Sequence, residues 1–111
     1  MTKMIYVSGP VTRNDNATEQ FEEADAFLRK IGHIPLNPIR IDAPHPLKMG
    51  KWLYYMRKSI ELLMKSDAIY LLSGWEKSSG AKIEFDLCVR LGIPIYFESM
   101  KEKLDELSRT D

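Results

Sequence analysis

Short apolar runs of strand length alternate along this chain with longer segments in which apolar residues recur at helical spacing. The predicted strands cover residues 4–8, 33–38, 68–72 and 93–97. The predicted helices run from a cap at Asn16 or Thr18 to Ile31, over 51–65 and over 81–91, with a weaker helical stripe in 98–111. Because strands and helices alternate, we predict an α/β fold, with a Rossmann- or flavodoxin-like parallel sheet of four to five strands and helices on both faces.

Residues 66–97 organise the rest of the chain. Residues 68–72 form a continuous apolar run, typical of a parallel strand that is buried on both faces. Gly74 ends this run, and a polar loop leads into the next helix. Loops between the carboxyl end of a parallel strand and a helix are where open α/β sheets bind ligands. The first strand ends in Gly9-Pro10, so we expect the two strand ends to form one crevice lined by residues 8–10 and 75–84.

The second strand, the loop after it and the helix at 51–65 carry further signals. Pro35 and Pro38 indicate that the second strand lies at an edge of the sheet. Residues 39–50 lack periodicity, which predicts a long loop of the kind that often serves binding. We predict that part of the helix surface forms a subunit interface, because the helix carries more large residues than one core-facing stripe needs. These residues are Trp52, Tyr54, Tyr55 and Met56.

Composition and charge limit the partners. The chain of 111 residues suffices for one compact domain, placed at 1–111. Its 16 basic and 16 acidic residues cancel, which argues against polymeric nucleic acid and membranes as partners. Cys88 lies in an apolar helical pattern and is predicted to pack in the core. His33 and His45 have no partner at metal-ligand spacing, so we expect no metal and no cofactor. The N-terminus has no cleavable signal pattern, and we expect a cytoplasmic protein.

The expected crevice contains candidate catalytic and binding groups, each with a structural alternative. Glu84 lies about one turn inside its helix, where the helix dipole favours the ionised form that a nucleophile requires; the alternative is a solvated glutamate. Residues 78–80 suit an anion site or an ordinary N-cap, since both use free N–H groups. Trp75 suits stacking on a nucleobase or covering the sheet end. Tyr6 suits the site or a plain strand position.

Several fragments together resemble the nucleoside 2-deoxyribosyltransferase-like superfamily, roughly over residues 4–97. The fragments are Tyr6-Val7-Ser8-Gly9-Pro10, residues 66–72, and Ser78-Ser79-Gly80-Ala81 leading to Glu84. Within this span, residues 74–78 before Gly80 and Asn37-Pro38 are similar to a small, mostly uncharacterised branch common in phages and prophages.

The resemblance implies an α/β domain that binds a nucleoside or its 5′-monophosphate and attacks the anomeric carbon of the sugar with Glu84. It implies that Ser78 and Gly80 hold the 5′-phosphate, with Ser79 as a further donor. Tyr6 matches a tyrosine near the nucleophile. A loop close to the sugar and base is matched by Ser8, Gly9 and Pro10. The resemblance also implies a homodimer or a larger homo-oligomer.

One position departs from the superfamily's pattern. Active members usually carry an aspartate eight residues before the counterpart of Asp67, where it helps to protonate the base, and this chain has Ser59 there. A hydroxyl is no acid near neutral pH, so assistance worth about 10²–10⁴-fold is absent or comes from another group, with Glu61 and Asp86 as possible substitutes. Three functions stay open: an enzyme that hydrolyses or transfers an N-glycosidic bond with Glu84 as nucleophile, a catalytically silent nucleotide-binding protein (a sensor or a phage-type sequestering protein), and an assembly protein that uses residues 52–56.

Overall fold

The computed structural model describes residues 2–11, 14–40 and 51–109. In chain order the strands and helices are β1 (Met4–Ser8), α1 (Ala17–Lys30), β2 (Ile34–Leu36), α2 (Lys51–Met64), β3 (Ala68–Leu71), α3 (Ser79–Leu91), β4 (Ile95–Phe97) and α4 (Lys101–Arg109). Short 3-10 turns occupy Pro38–Arg40, Trp75–Lys77 and Glu98–Met100. The predicted elements are therefore present with small shifts at their ends. Most of the predicted loop at 39–50, which includes His45, lies outside the described residues.

The four strands form one parallel sheet in the order β2-β1-β3-β4. This confirms the predicted α/β class with a parallel sheet and helices on both faces. β2 lies at an edge, as its proline predicted, because a residue without an N–H group is tolerated where one side of the strand has no neighbour. β1 and β3 form the central pair, in a register that sets Ser8 opposite Leu71.

Alternation along the central strands divides the core into two layers. Ile5 and Val7 of β1 point to one face, where α1 and α4 cover them, and Tyr6 points to the other, where α2 and α3 pack. The first layer is built from Ile5, Val7, Phe21, Ala24, Leu28, Ala68, Tyr70, Leu72 and Leu104. The second is built from Tyr6, Leu63, Ile69, Leu71 and Cys88. The sheet is thus buried on both faces, as the continuous apolar run in β3 predicted.

The chain leaves β1 and β3 toward opposite faces of the sheet. The helix after β1 belongs to the α1 and α4 layer, whereas the helix after β3 belongs to the α2 and α3 layer. Between two such neighbouring strands the connecting loops diverge and leave a crevice at the carboxyl edge of the sheet. The fold therefore places an opening directly beyond Ser8 and Leu71.

Two smaller predictions are also resolved by the structure. Cys88 is fully buried in the second layer, which confirms its packing role, and burial together with the nearby Glu84 carboxylate raises the pKa of its thiol to about 11. Asn16 occupies the N-cap position of α1 without a side-chain cap hydrogen bond; its own N–H donates to Asn14 Oδ1 at 3.1 Å instead. Within the described part of the chain, every helix is too short or too polar to cross a membrane.

Gly9 lies where the segment after β1 passes close to the end of β3. A Cβ atom at this position would lie 2.8 Å from the Cβ atom of Leu72, which is fully buried and attached directly to the backbone. Gly9→Ala should therefore lower the free energy of unfolding by about 1–3 kcal/mol in denaturant titrations. Gly80→Ala is the matched comparison, because the one close contact of its Cβ would be with the Sδ of Met56, at 2.9 Å, near the end of a flexible side chain that can move. An equal loss in both variants would contradict this account.

Candidate functional site

Glu84 is held by two hydroxyl groups from β1. The Tyr6 hydroxyl donates to Glu84 Oε2 at 2.7 Å, and the Ser8 hydroxyl donates to Glu84 Oε1 at 2.7 Å. Tyr6 and Ser8 reach the same carboxyl group because residues two apart on a strand share one face of the sheet. Each of the three side chains is almost fully buried, with 1% of Tyr6, 1% of Ser8 and 4% of Glu84 exposed. Both carboxyl oxygens are therefore fixed in direction.

The protonation of Glu84 depends strongly on its burial. Burial raises the pKa of Glu84, and the hydrogen bonds from Tyr6 and Ser8 lower the pKa against that larger effect. The helix dipole, the only influence considered from the sequence, favours the ionised form, whereas desolvation disfavours the charged form more than the two donors favour it. Burial, followed by the adjacent Glu84 carboxylate, raises the pKa of Tyr6 well above its ordinary value, so this phenol stays protonated and keeps donating.

A cavity of about 550 Å³ opens beside these three side chains. It lies at the switch point between β1 and β3, and α2 and the start of α3 form its walls. This is the volume range of small-molecule sites. Among the described residues it is lined by Tyr6, Ser8, Gly9, Val11, Pro38, Ile39, Lys51, Trp52, Tyr55, Met56, Ser59, Ser78, Gly80, Ala81 and Glu84. The crevice expected from the two strand ends is therefore present, and Glu84 faces it.

The first turn of α3 forms one end of the cavity. Ser78 is the N-cap residue, and its hydroxyl accepts a hydrogen bond from Ala81 N–H at 3.1 Å. Gly80 lies against Met56 of α2 so closely that a side chain would collide with it. The capping role of this segment is thus present, and Ser78, Gly80 and Ala81 also face the cavity.

Three predicted binding residues lie outside the cavity lining: Pro10, Ser79 and Trp75. The Trp75 ring packs against Phe85 at 4.7 Å and Phe97 at 6.0 Å between centroids. Of the two roles left open for Trp75, the structure therefore has the one that covers the sheet end. Ser79 is the first residue of α3 and is exposed outside the lining, whereas its neighbours Ser78 and Gly80 belong to it.

Ser59 lies in the cavity wall, as the position of the expected proton donor required. Its hydroxyl is 2.6 Å from the Tyr55 carbonyl oxygen, to which it donates within α2, and the residue is 8% exposed. Neither nearby acid replaces the missing aspartate, because Asp86 pairs with Arg90 at 3.0 Å and Glu61 with Lys58 at 3.8 Å, both on the exposed surface. Among the described lining residues, Glu84 supplies the sole carboxyl group.

The aromatic wall of the cavity was not predicted. From the sequence we predict instead that part of the α2 surface forms a subunit interface. The lining residues from the first two turns of α2 are Trp52, Tyr55 and Met56. The spacing of three and four residues could have revealed this, since such positions share one face of a helix. The sequence does not show whether that face of α2 lines a cavity or contacts another subunit.

The order β2-β1-β3-β4, with a cavity where β1 and β3 end, defines a doubly wound α/β protein. Its fold is similar to that of a 2-deoxyribosyltransferase from the psychrotolerant bacterium Bacillus psychrosaccharolyticus, with a TM-score of 0.69 and 21% identity over 85% of this chain and 70% of that one. That protein is described as a biocatalyst for the synthesis of antiviral and antitumoral nucleosides. The chain belongs to the family described as a domain of unknown function, DUF4406, which matches residues 3–97. No curated protein matches it.

Proposed function

We propose that this protein cleaves the N-glycosidic bond of a nucleoside or nucleoside 5′-monophosphate, as a hydrolase or a deoxyribosyltransferase, with Glu84 as nucleophile. The observation that carries the proposal is a buried carboxyl group, fixed by Tyr6 and Ser8, that faces a cavity at the switch point of the sheet. The similarity in fold to a 2-deoxyribosyltransferase and the resemblance in the sequence support the same class of reaction.

In the proposed reaction the Glu84 carboxylate is first the nucleophile and then the leaving group. As the bond between the anomeric carbon and the base nitrogen breaks, positive charge develops on the sugar, and a Glu84 oxygen forms an ester bond to that carbon. The base leaves with the electron pair of the broken bond and takes up a proton. Water, or the nitrogen of a second base, then attacks the same carbon and releases the carboxylate. Tyr6 and Ser8 keep the carboxyl group aimed at the sugar through both steps.

The 5′-phosphate of a nucleotide would bind at the first turn of α3. The positive end of the helix dipole lies at Ser78 and Gly80, which line the cavity. The Ser78 N–H donates to the Trp75 carbonyl oxygen at 3.0 Å, so an anion here would bind to the N–H groups that follow it in the first turn of α3. Lys51 supplies a cationic side chain to the lining from the start of α2. The sequence prediction that Ser78 and Gly80 hold a 5′-phosphate is retained as part of the proposal, and that for Ser79 is not, because Ser79 lies outside the lining.

A second candidate function is nucleotide binding without turnover. It is favoured by Ser59, since a serine in place of the aspartate leaves the described lining without a second carboxyl group to protonate the base. A sensor or a sequestering protein would keep the cavity and lose the chemistry. The two candidates therefore differ in whether base is released.

Incubation with the common ribo- and deoxyribonucleosides and their 5′-monophosphates tests both candidates. Liquid chromatography would detect free base, and chromatography with a second base present would detect transfer. Calorimetry on the same set would measure affinity. We expect base release from at least one compound. Affinity without release would support the binding protein, and the absence of both from every compound would contradict both functions.

Several sequence predictions stay predictions beside this proposal. They are the homo-oligomeric state, the phage- and prophage-type branch, the cytoplasmic location, the single domain at 1–111, and the absence of a cofactor and of membrane or polymeric nucleic-acid partners. Leu53 of α2 is 42% exposed and does not line the cavity, so the predicted interface would use this side of the helix.

A further inference from the structure

The first two turns of α2 present flat aromatic surface to the cavity. Trp52 and Tyr55 are three residues apart, so they lie on one face of the helix, and both belong to the lining. Leu53, between them, points to a different side and is absent from it. The cavity thus has a polar floor of Tyr6, Ser8 and Glu84 and an aromatic outer wall.

Trp52 differs from Trp75 in what covers its ring. Phe85 and Phe97 pack on Trp75, whereas no other ring stacks on Trp52 among the described residues. Trp52 is 51% exposed. Tyr55 has two neighbours, the Tyr54 ring at 5.9 Å between centroids in a T-shaped arrangement and Lys51 Nζ at 5.9 Å from its own centroid. Trp52 therefore offers the more open ring face at the cavity.

The length of α2 sets the distance between this wall and the floor. Ser59 lies in the inner part of the cavity, next to Tyr6. Seven residues separate Trp52 from Ser59, which corresponds to about 10 Å along the helix axis at a rise of about 1.5 Å per residue. With the sugar over Glu84, the base would therefore lie toward α2 and an anionic group would lie toward α3.

We infer that Trp52 stacks on the base of the ligand, with Tyr55 beside it, and that this wall makes the site select ligands that carry an aromatic base over bare sugar phosphates. The inference rests on the proposed function. Its physical reason is that every base has a π-face and that burial of an open indole face against a base removes apolar area of both from water. A sugar phosphate alone would use the floor and the start of α3 and gain nothing from Trp52.

Calorimetric titration with the nucleoside 5′-monophosphates and with ribose 5-phosphate tests this inference. The wild-type protein should bind the best nucleotide more tightly than ribose 5-phosphate. Trp52→Ala should weaken nucleotide binding on the order of tenfold and leave ribose 5-phosphate unchanged. Trp52→Phe should retain most of the affinity, and Leu53→Ala, the neighbouring exposed apolar residue, should change neither ligand.

Fluorescence gives a second readout, because the chain contains two tryptophans. In Trp75→Phe the remaining indole is Trp52, and a nucleotide should quench it whereas ribose 5-phosphate should not. Equal loss of both ligands in a folded Trp52→Ala variant, or unchanged nucleotide affinity, would overturn the inference and leave the proposed function intact. Failure of every nucleotide to bind the wild-type protein would overturn both.

Discussion

Replacement of Glu84 by glutamine should lower the rate of base release by about 10³-fold or more, because an amide cannot attack the anomeric carbon or balance its charge. Glutamine has nearly the same volume and can still accept a hydrogen bond from Tyr6 or Ser8, so the cavity should keep its shape. Ligand affinity should therefore change far less than the rate. Single-turnover assays of base release, with calorimetry on the same variant, would measure the two quantities separately.

The stability of Glu84→Gln shows whether a lost rate comes from chemistry or from unfolding. Burial raises the pKa of Glu84, so the folded protein binds this proton more tightly than the unfolded chain does. The contribution of Glu84 to stability is then fully present below its unfolded-state pKa and is lost as the pH rises through its folded-state pKa. Since glutamine resembles the protonated acid, the variant should match the wild-type protein at low pH and exceed its stability at neutral pH.

Asp86→Asn is the matched control for Glu84→Gln. Asp86 lies on the same helix, two residues away, but its side chain is 63% exposed and pairs with Arg90. Its substitution should leave base release unchanged. If the two variants released base at the same rate, Glu84 would not be the nucleophile.

Tyr6→Phe should shift the pH dependence of activity. The hydrogen bond from Tyr6 lowers the pKa of Glu84, although burial outweighs it, so its removal should raise this pKa further. Because the nucleophile must be ionised, the rise of kcat/KM with pH should move to higher pH. A hydrogen bond to a charged group contributes about 1.5–3 kcal/mol, so activity at neutral pH should fall by roughly 10–100-fold. Rate profiles over pH for both proteins would measure the shift.

Tyr70→Phe is the control for Tyr6→Phe. Tyr70 is equally buried, at 1% exposed, but it points into the layer of α1 and α4 on the opposite face of the sheet. Its phenol can be removed without any change beside Glu84, and the profile should keep its position on the pH axis. If the profile of Tyr6→Phe also kept its position, Tyr6 would not be a donor that tunes the nucleophile.

The parts of the structure that local sequence determines were predictable. β3 is a continuous apolar run because both of its faces are buried, and Pro35 indicated the edge position of β2 because it lacks an N–H group. The crevice followed from the rule that parallel strands end at one edge of the sheet. Ser78 was predictable as an N-cap because capping is local: its hydroxyl accepts from the N–H of a residue only three positions away.

The parts that depend on packing between distant segments were not predictable. Desolvation of Glu84 comes from the elements around it, whereas the helix dipole can be inferred from α3 alone, so the sequence did not indicate that burial raises the pKa of Glu84. The surroundings of the two tryptophans were not predictable for a similar reason. Trp75 meets Phe85 and Phe97, and Trp52 meets the cavity, and neither neighbour follows from spacing along the chain.

The hydrogen bonds that fix Glu84 span 78 residues to Tyr6 and 76 residues to Ser8. During synthesis the two donors leave the ribosome long before the acid, and a chain that stops short of α3 lacks Glu84. The hydrogen-bonded group of Tyr6, Ser8 and Glu84 therefore forms only when the central strands and α3 have come together. If the proposed activity is found, the first appearance of free base in a refolding experiment would time this long-range contact, independently of any spectroscopic signal from the helices.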